Sequence, residues 1–522
     1  MADTHPHLKK TTLDKDLGKL VELEAATVSI SRRLAGPGIA LLFLALTMAF
    51  ASFYAAGAPG ALTVIAAAVI GAYMALNIGA NDVANNVGPA VGSRAMTLGG
   101  ALAVAAICES AGALIAGGDV VGTISKGIID PVAVNEPSVF VAAMMAALIS
   151  SALWVNLATW IGAPVSTTHS VVGGVMGAGI AAAGFAAVNW PTMGAIAASW
   201  VISPVLGGVI AALFLAFIKS SIIYQEDKIT AARRWVPVLI AVMAGCFAAY
   251  LAMKGLKKIV SLGPVSILLL GLGAGIVSWL AAKPLIHRQS QGMENRNQSL
   301  RKLFHLPLIC SAALLSFAHG ANDVANAVGP LAAIVHTAEL GEVATKVSIP
   351  FWVMVIGAIG ISVGLLLFGP KLVRVVGEQI TKLNPMRAYC VALAAAITVI
   401  IASWLGLPVS STHIAVGAVF GVGFFREWYT AKSKRRRAYL ERKYGSWQEF
   451  LAASKQAAEE SGDAVAAAFE EEELPRPTTE EIQRRRLVRR AHFTTIVAAW
   501  VITVPCAAAL AVMLFWLIRL AA

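Results

Sequence analysis

Long apolar runs recur along the whole chain and decide what it can fold into. Eleven such segments lie at 35–57, 61–93, 98–118, 138–182, 191–218, 236–253, 264–284, 305–335, 349–369, 388–425 and 492–519. A helix that crosses a hydrocarbon core of ~30 Å needs about 20 apolar residues. Charged residues make up only 13% of the 522 residues, whereas soluble domains carry about 25%. The sequence therefore predicts an all-α polytopic membrane protein.

The basic residues indicate how the chain is oriented. Arg32 and Arg33 precede the first span, and the loop from Lys283 to Lys302 is also basic. Cytoplasmic loops carry an excess of Lys and Arg, so we expect residues 1–34 to lie in the cytoplasm and the C-terminus outside an inner (cell) membrane. Three lysines on the predicted outer side, at 254, 257 and 258, count against this scheme.

The net charge is +12, but the basic residues that produce it are concentrated in a few loops. We therefore expect no nucleic-acid partner. The insert at 426–490 has basic flanks around a middle rich in Ala and Glu. We interpret it as a cytoplasmic loop, with a regulatory or lipid-headgroup role as the alternative. The five cysteines lie in or beside apolar runs without metal-like spacing, which favours core packing.

Two different motifs occur twice, in the same order. GANDVANNVGPAVG at 79–92 recurs as GANDVANAVGPLAA at 320–333, and APVSTTH at 163–169 recurs as LPVSSTH at 407–413. The offsets of 241 and 244 residues nearly agree, which indicates two homologous halves. We assign 61–218 to the first repeat, 305–425 and 491–522 to the second, 219–304 to linking helices, and 35–57 to an extra N-terminal helix.

The predicted directions of the two motif helices are opposite. Segment 61–93 would run inward and segment 305–335 outward, so we expect two inverted-topology repeats. Segments 138–182 and 388–425 each have two limbs, separated by Pro164 or Pro408. We expect these helical hairpins and the broken helices typical of such transporters to meet near the bilayer midplane.

The doubled GANDVAN and P-V-S-[ST]-T-H motifs resemble those of the inorganic phosphate transporter family, which includes bacterial phosphate permeases and sodium-phosphate symporters. The resemblance covers roughly 61–218 and 305–519. It implies phosphate transport driven by sodium ions or protons, and relatives that carry sulfate are known. Many relatives have a glutamate where this chain has Ala392, which leaves the number and identity of the coupling ions open.

The first motif has the residue types of a cation site. An ionised Asp in the apolar core costs at least ~2.5 kcal/mol, and no Lys or Arg lies within either copy. Asp and the Asn three residues later share a helix face and offer oxygen atoms to one small ion. Glycines and a proline in each copy would let the helix unwind and free carbonyls as further ligands. The predicted coupling-ion ligands are Asn81, Asp82, Asn85, Asn322, Asp323 and Asn326.

The second motif has the residue types of an anion site. A proline before a helix leaves its first amides free, and the hydroxyl residues follow at once. Free N–H groups, hydroxyls and the positive end of a helix dipole together bind oxyanions; ordinary N-capping is the structural alternative. The predicted phosphate-binding residues are Ser166, Thr167, Thr168, Ser410, Ser411 and Thr412.

Three further residues are candidates for coupling. Glu109 is a carboxylate in the middle of a span, and His169 and His413 follow the Ser/Thr runs on the same helix face. The histidines could relay protons or could be packed and hydrogen-bonded. We interpret Asp119, Thr123, Ser125 and Lys126 as surface loop residues.

These residues together predict a phosphate importer that works by symport with Na⁺ or H⁺ and alternating access. A phosphate dianion beside two aspartates requires accompanying cations, and no resident cofactor is expected. Sulfate transport is the alternative within the same fold, and a channel or an intramembrane hydrolase using Ser166 and His169 is remote. A homodimer and phosphate carried as a metal complex stay open as alternatives.

Overall fold

The computed structural model describes residues 34–57, 60–130, 133–134, 136–162, 165–255, 260, 262–343, 349–375, 383–432 and 490–521. Apart from one antiparallel bridge between Ile129 and Val188, the described residues form helices and their connections. Eleven of the described helices are long and apolar enough to cross a membrane. The prediction of an all-α, multi-pass membrane protein is confirmed.

Fifteen helices are numbered here in chain order. They are α1 (Leu34–Ala55), α2 (Ala61–Gly92), α3 (Leu98–Ala116), α4 (Gly118–Lys126), α5 (Pro137–Ile161), α6 (Thr167–Ala183), α7 (Trp190–Ile218), α8 (Lys228–Lys254), α9 (Pro264–Gln289), α10 (Asn297–Leu303), α11 (His305–Leu340), α12 (Phe351–Val375), α13 (Pro385–Trp404), α14 (Ser411–Lys432) and α15 (Arg490–Ala521).

Several helices are longer than the apolar runs that predicted them. Helix α8 begins at Lys228 and α14 continues to Lys432, because polar residues extend a helix beyond the hydrocarbon without loss of backbone hydrogen bonds. The first residues of the predicted 426–490 loop are therefore helical. Residues 1–33, 433–489, Lys257 and Lys258 lie outside the described part of the chain, as does Pro164.

The two motif helices are continuous, which corrects the expectation that they unwind. Helix α2 runs through Pro89 and α11 runs through Pro330. The glycines serve packing instead: a Cβ on Gly79 would overlap the carbonyl of Ile361 on α12, and one on Gly320 would overlap the carbonyl of Glu109 on α3. Small residues at such crossings let helix backbones approach closely within a membrane.

Both predicted hairpins are present as helix pairs with a short break. Helices α5 and α6 are separated at Gly162, with φ 78°, and α13 and α14 at Gly406, with φ 68°. Glycine adopts this left-handed conformation without steric cost, which ends the first limb of each hairpin. Pro408 lies between the limbs of the second hairpin, as predicted.

Each hairpin packs against a helix from the other end of the chain. The glycines of α6 lie against α15, where a Cβ on Gly177 would overlap the backbone of Ala508. The glycines of α14 lie against α7, where a Cβ on Gly421 would overlap the backbone of Gly208. The equivalent packing of α6 on α15 and of α14 on α7 supports the duplication. The membrane orientation of the two halves and the assigned repeat boundaries stay predictions.

The segment after α3 is a helix and not the predicted loop. Thr123, on α4, donates from Oγ1 to the carbonyl of Gly406 at 2.7 Å, and Ser125 is buried. Asp119 and Lys126 belong to the same helix. The burial of Val120, Val121 and Ile124 in the core stabilises this helix. Through Thr123, α4 contacts the turn of the second hairpin.

Candidate functional site

Asp82 joins the tips of the two hairpins. Its Oδ2 accepts a hydrogen bond from Thr167 Oγ1 at 2.8 Å, and its Oδ1 accepts one from Thr412 Oγ1 at 3.1 Å. Thr167 opens α6 and Thr412 lies in the first turn of α14. The carboxylate is 1% exposed. A residue of the first motif therefore contacts both copies of the second motif at once.

The motif asparagines tie each half to the hairpin of the other half. Asn85 donates to Thr412 Oγ1 at 2.8 Å, and Asn326 donates to Thr168 Oγ1 at 3.1 Å. Thr168 in turn donates to the carbonyl of Val409 at 3.0 Å. The structure thus brings together side chains that are more than 150 residues apart in the chain.

The other two motif asparagines contact the first limb of their own hairpin. Asn81 donates from Nδ2 to Thr159 Oγ1 at 3.0 Å, near the end of α5. Asn322 lies 3.1 Å from Ser403 Oγ, near the end of α13. Asp323 completes the second copy, with its Oδ2 3.4 Å from Ser411 Oγ. All six predicted cation ligands are buried around the hairpin tips.

The six predicted Ser and Thr residues have two different local roles. Ser166 Oγ accepts from the backbone N–H of His169, and Ser410 Oγ accepts from that of His413. These two serines are N-caps, as the structural alternative predicted. The remaining four hydroxyls lie in the first turns of α6 and α14, and three of them donate to the motif aspartates.

His319 is a central residue that the sequence interpretation missed. Its Nε2 lies 2.9 Å from Asp323 Oδ2 and 3.7 Å from Asp82 Oδ2, and its Nδ1 lies 3.3 Å from Glu109 Oε1. Both ring nitrogens face carboxylate oxygens, so a proton on each would make the ring a positively charged imidazolium. The missed signal was its place four residues before Asp323, on the same helix face.

Glu109, on α3, provides the carboxylate that faces Nδ1 of His319. It is fully buried, and Asn86 donates to its Oε1 at 2.8 Å. The sequence predicted only a bound cation as the partner of the motif aspartates, but the structure also places beside them His319, which carries a positive charge when it is protonated. Ala392 is buried on α13.

His169 and His413 lie beside the hairpin contact, with their rings in contact and tilted by 37° relative to one another. Their ring centroids are 4.4 Å apart, and the His169 ring is 3.7 Å from that of Trp200. The Ser166 hydroxyl contacts the backbone of His169 and not its ring. The hydrolase alternative requires the Ser166 hydroxyl to contact the imidazole ring of His169 as its base. The hydrogen bond between these two residues is instead an N-cap. A coupling role for the two histidines stays a prediction.

Some buried oxygen atoms lack hydrogen-bond donors and are therefore candidate ligands for a cation. Among the described residues these include Asn326 Oδ1, Asn86 Oδ1 and Glu109 Oε2. Buried polar atoms are nearly always partnered, so each such atom needs an explanation such as an ion. Carboxylate oxygens of Asp82 and Asp323 also lie within 4.8 Å of one another. The cluster offers oxygen ligands to cations beside two helix N-termini that attract anions.

The chain is similar to several known proteins. A model of the phosphate transporter family matches residues 78–511. A Helicobacter pylori protein named "Putative phosphate permease" is 51% identical over 430 residues, covering 81% of this chain and 80% of that protein. A Pyrococcus abyssi protein of the same description is 39% identical over 69% of this chain and 88% of its own length.

A solved structure titled "The sodium-dependent phosphate transporter" is also similar. It is 33% identical, with a TM-score of 0.72, and the match covers 88% of this chain and 99% of the other.

Proposed function

Because the chain belongs to the phosphate transporter family, we propose that it imports inorganic phosphate by symport with cations, using alternating access. The family is one of transporters and not of enzymes, so a hydrolase role has no support. The observation that carries the proposal is the contact of Asp82 with Thr167 and Thr412, one residue from each hairpin. An anion between the two helix N-termini would lie directly beside this carboxylate.

Charge balance makes symport necessary in this proposal. Glu109 and His319 neutralise one another, so Asp82, Asp323 and a phosphate dianion together carry four negative charges. Two helix N-termini, at about half a charge each, offset only a quarter of that. Two cations would neutralise the aspartates, and a third would let the membrane potential contribute ~2.3 kcal/mol per charge per 100 mV.

Sodium is the coupling ion we propose. The amide, hydroxyl and carboxylate oxygens around Asp82 and Asp323 are hard ligands suited to such an ion. The similar solved structure is titled as sodium-dependent. Since His319 has both ring nitrogens facing carboxylates, we expect it to act as a fixed charge and not as the carrier of a transported proton.

Phosphate is favoured over sulfate by the same carboxylate. Hydrogen phosphate keeps one proton at neutral pH and can donate it to Asp82, whereas sulfate has none to donate. Sulfate beside Asp82 would meet only repulsion, at a cost of several kcal/mol in a water-excluded site. We place the protein in the inner membrane with its N-terminus inside and C-terminus outside.

Labelled phosphate uptake into proteoliposomes tests the proposal, with sodium and proton gradients imposed separately. We expect saturable uptake that requires sodium and is competed by arsenate but not by sulfate. Equal uptake with the proton gradient alone would identify the proton, and not sodium, as the coupling ion. Competition by sulfate as strong as that by arsenate would favour a general oxyanion permease, and sodium-independent uptake would contradict symport.

A further inference from the structure

Helices α8 and α9 form an antiparallel pair with a groove along one side. The helices cross closely at glycines: a Cβ on Gly271 would lie 3.0 Å from the carbonyl of Gly245, and one on Gly275 would lie 3.2 Å from that of Ala241. Small residues line this crossing, and a groove of about 510 Å³ opens beside it. That volume lies within the ~300–1,000 Å³ typical of ligand pockets. We call it the α8–α9 groove.

The α8–α9 groove is apolar and faces away from the rest of the protein. Its lining residues lie within 238–249 on α8 and 268–279 on α9, and none of them is charged. Leu268, Leu272 and Ile276 are each more than half exposed. Among the described helices, α9 packs chiefly on α8, so the groove opens to the hydrocarbon of the bilayer. Lipid tails are as apolar as these side chains, which makes a lipid the molecule that meets this surface.

The length of the groove matches one leaflet of a membrane. Residues 238 and 249 of α8 are eleven positions apart, as are residues 268 and 279 of α9. At a rise of 1.5 Å per residue, each lining stripe is about 17 Å long. A leaflet contributes about half of a hydrocarbon core of ~30 Å. An acyl chain that enters from one membrane surface therefore lies along the whole groove without crossing the midplane.

Basic side chains lie at one end of the groove. Arg234 is four residues before Val238 on α8, and so continues the lining stripe of that helix. Lys283 is four residues after Trp279 on α9 and does the same there, because residues four apart share a helix face. Since the two helices are antiparallel, both basic residues lie at the same end. Lys283 Nζ is 5.1 Å from the ring centroid of Trp279, and Trp, Lys and Arg at helix ends are typical of a membrane–water interface.

The two basic residues differ in their acidic neighbours. Arg234 also lines a separate polar cavity that includes Glu226 and Asp227, so it shares that space with two carboxylates. No ion pair involves Lys283 within the described part of the chain. Lys283 is therefore the group that we expect to select a negative headgroup. The predicted topology places this end of the helix pair at the cytoplasmic membrane surface, where anionic lipids are concentrated.

We propose that the α8–α9 groove binds one anionic phospholipid, with an acyl chain along the groove and the phosphate beside Lys283 and Arg234. Because all lipid tails are apolar, the headgroup contact distinguishes this lipid from its neighbours. A hydrogen bond from an ammonium or guanidinium group to a phosphate oxygen is charge-assisted and strong. The choline group of a zwitterionic lipid adds a positive charge that Lys283 repels. None of the lining residues takes part in the site around Asp82.

Protection of Cys246 tests the proposal on the unaltered protein. Cys246 lines the groove and is exposed, so a bound acyl chain covers its thiol. Purified full-length protein in detergent is treated with N-ethylmaleimide in the presence of dioctanoyl-phosphatidylglycerol or dioctanoyl-phosphatidylcholine, and peptide mass spectrometry follows the modification. Phosphatidylglycerol should protect Cys246 at about tenfold lower concentration than phosphatidylcholine, because only its headgroup keeps the charge-assisted contact unopposed. Cys506, on α15, is the internal reference that neither lipid should protect.

Two pairs of variants separate the groove from its basic end. Cys246→Phe fills the groove, and Val277→Phe places the same ring on an exposed part of α9 outside the lining. Lys283→Gln removes the headgroup contact, and Arg288→Gln removes a charge from the last turn of the same helix. Native mass spectrometry measures the binding of both lipids. Cys246→Phe should lose the bound phosphatidylglycerol, and Lys283→Gln should lose the preference of about tenfold for it. The two controls should bind as the wild type does.

Several outcomes would overturn the proposal. Equal protection of Cys246 by the two lipids would show a groove without headgroup selection. Phosphatidylglycerol retained by Cys246→Phe, or lost equally from Val277→Phe, would place the lipid elsewhere. Protection without lipid that rises with protein concentration would show a second copy of the chain on this face. If Cys246→Phe is not recovered folded, the unaltered protein and Lys283→Gln decide the question. No measurement here depends on transport, so the result stands apart from the proposed function.

Discussion

The surroundings of Asp82 and of Asp323 differ although their motifs are nearly identical. The residue before the motif glycine is Ile78 in the first copy and His319 in the second. The residue whose carbonyl approaches that glycine is Ile361 in the first and Glu109 in the second. The glycine crossing of the first copy is therefore formed by two apolar residues, and that of the second copy by a buried histidine and a buried glutamate.

The comparison separates what the duplication preserves from what it does not. Both copies keep the aspartate, the two asparagines and the close glycine crossing, which fix helix packing and oxygen ligands. His319 lies closer to Asp323, at 2.9 Å, than to Asp82, at 3.7 Å. Asn86 of the first copy donates to Glu109, whereas its counterpart in the second copy is Ala327. We infer that two similar backbones hold two electrostatically unequal cation environments.

The largest effect is expected for the motif aspartates themselves. Asp82→Asn and Asp323→Asn should each reduce sodium-driven phosphate uptake to the level of empty liposomes, because each removes a negative charge that a cation balances. Uptake into proteoliposomes measures this. Asp227→Asn is the control, since Asp227 is an exposed cap of α8 and Asn caps as well as Asp. Wild-type uptake by either motif variant would contradict the assigned role.

The unequal surroundings can be tested by making the second copy resemble the first. His319→Ile alone leaves Glu109 buried without its cation, which typically costs about 3–5 kcal/mol. Adding Glu109→Ile should recover much of that loss, because replacing both partners by apolar groups is often nearly neutral. Thermal unfolding in detergent measures both variants.

A double variant no more stable than His319→Ile would show that the pair is not coupled. Uptake by the double variant adds a second readout, because the aspartates that we propose to bind cations are retained.

The shared glycine crossings should respond equally in the two copies. Gly79→Ala and Gly320→Ala each place a Cβ on a backbone carbonyl of the neighbouring helix, and such overpacking costs about 1–3 kcal/mol. The thermal midpoint in detergent should fall by similar amounts. Gly273→Ala is the control, since a Cβ there meets nothing within 4 Å. A fall at only one motif glycine would show that the two crossings are not equivalent.

The smallest effect is expected where each motif contacts its own hairpin. Thr159→Val removes the partner of Asn81, and Ser403→Ala removes the partner of Asn322. A single neutral hydrogen bond contributes about 0.5–1.5 kcal/mol, so both variants should lose stability slightly and to the same extent. A change in the apparent affinity for sodium without loss of stability would instead assign these hydroxyls to the ion sites.

The sequence predicted most of the fold because its signals are local. Apolar length identified the spans, glycine and proline marked the hairpin breaks, and the doubled motifs identified the residues that the structure brings together. His319 was missed because one histidine in an apolar run looks like a packed residue, and its importance depends on Glu109 from another helix. The helical state of α4 was missed because its apolar residues alternate with Gly, Thr and Ser.

The sequence by itself determined a duplicated helical membrane protein and the residue types of its site. Backbone groups in hydrocarbon must be satisfied within the protein, apolar runs of about 20 residues satisfy them as helices, and a buried charge among such residues is easily recognised. Only the tertiary structure decided which charges meet. Asp82 contacts both hairpins, His319 lies among three carboxylates, and two basic side chains lie at one end of an apolar groove. Those distances depend on how distant helices pack, and no local pattern in the chain encodes them.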